Sequence, residues 1–177
     1  CSSDLQKILA SKNYDAAAAE FKKLYASYRF VGYDVACILG ESTALAASGK
    51  KPEAITRLKL LDKYELADQS KESDFYEARK LLASLYIDES KFDEAMEILS
   101  ELGQSNDDNI ATFGFNSRGN ILLKQNKKKD AILMFMRTAL LFPVENKERP
   151  RALMLVANTL KEMQDNRGGI FADMLKS

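Results

Sequence analysis

Few side chains in this sequence can do chemistry, and they do not assemble into a reaction centre. Histidine is absent, which removes the commonest general base and the commonest metal ligand together. The two cysteines, Cys1 and Cys37, fall short of the donors a zinc site ordinarily needs, and nothing suggests a disulfide framework. Cys37 shares an apolar helix face with Val35 and Ile38, where a thiol packs as a small hydrophobe. An N-terminal cysteine such as Cys1 could be a nucleophile activated by its own amine, but that chemistry is housed in layered α/β folds, and no strand pattern is present. The acidic pairs Asp93-Glu94 and Asp107-Asp108 fall at predicted helix starts, where carboxylates cap the helix and favour its dipole. Four lysines among residues 124–129 fit a solvated corner between helices better than a phosphate site. Tyr25, Tyr28, Phe30 and Tyr33 crowd one joint and fit core and corner packing better than a stacking platform. No catalytic residue, metal site or cofactor is predicted.

The elements that must position these groups are helices. Of 177 residues, 46% are hydrophobic and 29% charged, with only 8 Gly and 3 Pro. That balance suits a soluble globular chain with few tight turns. Acidic and basic residues cancel, 26 against 26, so no net field draws the chain to nucleic acid. No run of about eighteen apolar residues occurs, so no spanning helix is predicted.

Four segments repeat one pattern: a polar corner, an alanine, then a large apolar residue one helical turn later. They are Asn13 to Phe21 around Ala17, Lys50 to Leu58 around Ala54, Lys91 to Leu99 around Ala95, and Lys127 to Phe135 around Ala131. The alanines step by 37, 41 and 36 residues, room for two helices and two corners per step. Ahead of the last three corners lie segments with apolar residues at three- and four-residue spacing. Helices are predicted near residues 3–11, 14–27, 34–48, 52–64, 73–89, 92–102, 108–125, 128–141, 148–164 and 168–176. The polar stretch from Lys63 to Asp74 accounts for the longest step. No domain boundary is evident, because each helix pair needs its neighbours to bury its apolar face.

These residues resemble the tetratricopeptide repeat, whose pattern is W-x2-L-G-x2-Y, then A-x3-F, then P. The fullest copy has Phe115 at the aromatic site, Gly119 at the small site, Leu122 at the tyrosine site, then Ala131, Phe135 and Pro143. A second has Ala83, Tyr86, Ala95 and Leu99; a third has Ser42, Leu45, Ala54 and Leu58. A first copy carries Leu5 and Ile8 on a short leading helix. A fifth carries Ala157 and Leu160, with Gly168-Gly169 in place of the alanine corner. Arg118 departs from the pattern at the leucine site, and Ser42 at the small site. The resemblance implies an all-α, α-solenoid fold: about five helix pairs in a right-handed superhelix, forming one domain over 1–177. The repeats would span approximately residues 3–33, 34–70, 73–106, 108–144 and 148–177.

The resemblance also implies a concave groove lined by the first helices and a protein or peptide partner lying in it. Inward positions follow one helix face at i, i+3, i+7 and i+10. They place Lys80 and Ser84 on the third pair, Asn116 and Asn120 with Lys124 beside them on the fourth, and Arg151, Asn158 and Lys161 on the fifth. Asn120 and Asn158 recur at one place in successive pairs, where their amides could grip an extended backbone. The lysines and arginine would attract carboxylates. Cys1-Ser2-Ser3 resembles the start of a mature bacterial lipoprotein. A lipid on Cys1 would be the chain's one link to a membrane and would place it in the periplasm or at the outer membrane; without it the chain would be cytoplasmic. The expected function is a scaffold or adaptor for protein–protein interaction in a bacterial envelope complex, and not an enzyme. The alternative is a recognition or regulatory helical domain of a larger enzyme.

Overall fold

The computed structural model describes residues 13–28, 33–64, 71–143, 145–165 and 167–174. All regular structure among them is helical. The chain divides into two compact units, Cys1–Lys91 and Phe92–Ser177.

In the first unit, α1 spans Tyr14–Tyr28, α2 Asp34–Ala47, α3 Lys51–Leu58 and α4 Glu72–Asp88. Asn13 opens α1 by accepting the Ala16 N–H on its side-chain oxygen at 3.3 Å, satisfying a donor that the first turn leaves free. Pro52 sits in the first turn of α3, where its missing N–H costs nothing. The sequence predicts one helix over 52–64, but α3 ends at Leu58 and a 3₁₀ turn, Lys59–Leu61, follows. Leu58 and Leu61 are 1% and 2% exposed; three residues per turn keeps both on one line into the core.

In the second unit, α5 spans Phe92–Leu102, α6 Asp108–Lys124, α7 Lys128–Leu141, α8 Arg149–Glu162 and α9 Gly168–Asp173. Asp107 caps α6, accepting the N–H groups of Asn109 and Ile110 at 2.8 and 3.2 Å. The core joins Leu122, Ile132, Phe135, Leu153, Val156 and Leu160. The predicted helix over 3–11, and with it Leu5, Ile8 and Cys1, lies outside the described residues.

The small residues do what close helix crossing requires. Ala17, Ala54, Ala95 and Ala131 are all fully buried, as are Ser42 and Ala83. A Cβ on Gly119 would stand 2.5 Å from the Phe135 ring, and one on Gly40 would stand 2.2 Å from the Phe21 ring. Gly114 meets backbone: its Cβ would lie 2.6 Å from the Gly103 nitrogen, so α6 crosses the end of α5 with nothing between them.

One further regularity ties the pairs together. α2, α4, α6 and α8 all end on a left-handed residue: Gly49, Ser90, Asn126 and Gln164. The next N–H then reaches back to the carbonyl of Leu45, Tyr86, Leu122 or Leu160, at 2.9, 2.8, 2.8 and 2.9 Å. This Schellman closure satisfies the last carbonyls of each helix and ends it. Three of the four residues are not glycine and carry the cost of a left-handed conformation.

Candidate functional site

The predicted groove residues sit on the first helices of their pairs, but they are not equally available. In the first unit, Lys80 pairs with Glu77 at 2.8 Å, and the exposed Ser84 turns its hydroxyl to the Lys80 carbonyl at 2.9 Å. In the second unit, Asn120 is half-buried on α6, and Asn158 and Lys161 are exposed on α8. Lys124 is exposed and lies 6.0 Å from the Phe92 ring centroid. Arg151 is exposed and stands 3.8 Å from Glu148. Asn116 differs from the expectation of an open groove residue. It is 4% exposed and donates its amide to Glu148 at 3.1 Å. Its place on the helix tilts it toward the joint with α8, where it links α6 to the residue preceding that helix.

Other charged side chains are buried between helices of the first unit. On α2, Glu41 is 7% exposed, and its carboxylate lies 2.7 Å from Arg57 Nε on α3. The N–H does not aim straight at the oxygen, so charge more than direction holds the pair. The guanidinium also stacks 4.1 Å from the Tyr25 ring centroid on α1. Glu41 and Arg57 border a cavity of about 540 Å³ also walled by Ala18, Leu45 and Leu60. Cys37 lies near them, and burial pushes its thiol up despite the pull of Arg57; this favours the inert, protonated form.

A second ion pair joins Lys71 to Asp34 at 3.0 Å, with the Tyr64 hydroxyl also 3.0 Å from the ammonium. Burial alone would raise the Asp34 carboxyl; the hydrogen bond and charge of Lys71 bring it below its ordinary value. Hydrogen bonds to Tyr64 and Asp34 hold the Lys71 ammonium charged. Among the described residues no group of three His, Cys, Asp or Glu side chains could hold a metal, and no helix is long and apolar enough to cross a membrane.

No protein-family model and no curated protein matches the sequence. Solved structures do match. A Podosopora anserina protein, described as a kinesin light chain with nearly identical TPR-like repeats, superposes with a TM-score of 0.70 at 12% identity. The match covers 98% of this chain and 90% of that one. A single-substitution variant of that protein matches equally well. The fold is a tetratricopeptide-like repeat.

In the tetratricopeptide-like frame, the residue just before the small site ordinarily packs in the core. Leu82 and Val156 do so, at 1% and 0% exposure. Glu41 and Arg118 occupy the same place before Ser42 and Gly119. Arg118 is half-buried, and its Nε is sealed from solvent with no hydrogen-bond partner. Burial, and then the positive charge of Arg137, weaken its hold on its proton. A signal for both sites exists in the sequence: a charged residue at an apolar repeat position. For Glu41 it was masked, because Ser42 already makes that copy of the pattern weak.

Proposed function

We propose that this chain is a protein-interaction module that holds an extended segment of a partner along the first helices of its repeats. The observation that carries the reading is the unspent polar chemistry of that face. The side chains of Asn120, Asn158 and Lys161 make no hydrogen bond or ion pair among the described residues, on helices whose opposite faces are buried in the core. An amide that both donates and accepts suits a peptide backbone, and Lys124, Arg151 and Lys161 suit carboxylates along it. Lys80 and Ser84 are the corresponding proposed contact residues on α4 of the first unit. Asn116 contributes by fixing the joint between α6 and α8, not by touching the partner.

The test is capture of binding partners from the native organism with wild-type protein and with Asn120→Ala/Asn158→Ala. The reading expects at least one partner, identified by mass spectrometry, to be lost from the variant while its helical circular dichroism is unchanged. Identical capture by both proteins would remove the surface and leave the fold standing.

A further inference from the structure

We propose that Arg118 and Arg137 form a second binding contact, which takes a side-chain carboxylate from an acidic segment of a protein partner. The contact rests on the reading of this chain as an interaction module but uses a different surface. Arg118 lies on α6 one turn beyond Gly114, where α6 meets α5, and next to Gly119, where α6 meets Phe135 of α7. Arg137 projects from α7, and its guanidinium stands 5.5 Å from the Phe115 ring centroid. Neither arginine has a carboxylate partner among the described residues.

Two adjacent cations, one with a sealed Nε and no acceptor, are a costly arrangement. The repeat itself shows how such a charge is satisfied. One residue before the small site of the second pair, Glu41 meets Arg57 at 2.7 Å. The fourth pair presents the arginines without the acid, so charge complementarity calls for a carboxylate from outside. The surroundings suit a segment with apolar residues flanking that acid. Leu140 and Leu141 on the same end of α7 are 55% and 69% exposed, and Phe142 packs against Phe115 with ring centroids 6.1 Å apart. Phe115 holds Arg137 in place by cation–π attraction, which preorganises the pair for an anion.

The test selects peptides from a random display library on wild-type protein and remeasures the best binder as a synthetic peptide by fluorescence anisotropy. The proposal expects enrichment of peptides with Asp or Glu among apolar residues. Affinity should drop about tenfold or more on Arg118→Leu and on Arg137→Gln, the loss of one charge-assisted contact. It should drop likewise when the peptide's acid is replaced by its amide, and stay unchanged on Asn120→Ala/Asn158→Ala. Arg137 is exposed, so its variant keeps the fold. If wild type enriches no acidic peptide, or if binding survives both arginine variants, the proposal is overturned. Binding lost only from the double asparagine variant overturns it too, and supports the first-helix face instead.

Discussion

The second and fourth helix pairs carry a charged residue at the same repeat position and resolve it in opposite ways. Glu41 is buried against Arg57, which in turn rests on Tyr25; both charges are spent inside the fold. Arg118 is half-buried beside Arg137 with no acid in reach; its charge is left over. Leu82 and Val156 show that an apolar side chain serves equally well in the other pairs. A buried ion pair contributes little net stability over well-packed apolar residues, but breaking one is expensive. The pair in the first unit is therefore a structural commitment, whereas the arginines in the second are an open valence.

The largest effect should come from breaking that commitment. Glu41→Ala leaves Arg57 without its acid and should cost about 3 kcal/mol in chemical denaturation. Glu41→Leu/Arg57→Met, which removes both charges, should cost much less. If the two variants lose equal stability, packing and not charge dominates the site.

Close helix contact should come next. Gly119→Ala forces the fully buried Phe135 ring to move, at a cost of about 2 kcal/mol. Gly169→Ala, with open space around it, should be neutral or stabilising by thermal melting.

Arg118→Leu tests the other side of the comparison. It restores the residue type of Leu82 and removes a sealed donor, so the free protein should gain about 1 kcal/mol. A loss would mean that Arg118 is already satisfied within the chain. A similar gain, about 1 kcal/mol or less, is expected from Gln164→Gly, which relieves a left-handed non-glycine at the last of the four corners.

The smallest effect is a pH dependence. Asp34 ionises more readily in the fold than in the unfolded chain because Lys71 holds it. Its contribution is complete above the unfolded carboxylate value and fades as pH falls through the lower folded one. Asp34→Asn should flatten the acid limb of stability against pH relative to wild type. An unchanged limb would leave the Lys71 pair without energetic weight.

Much of the fold could be read from residue types, because helices and their pairing depend on local spacing. The alanine corners, the cap at Asp107 and most helix bounds all follow from patterns within one or two turns. What the chain alone could not reveal depends on contacts between segments far apart in sequence. The left-handed closures at Ser90 and Gln164 carry no glycine to announce them, so only the backbone path exposes them. Asn116 and Asn120 look alike on a helix face, and only the tertiary structure buries the first, with its amide on Glu148, and leaves the second half-open. Arg57 and Arg118 are equally arginine. Whether an acid stands opposite is set by the neighbouring helix, since charge in a fold is governed by distance across space and not along the chain.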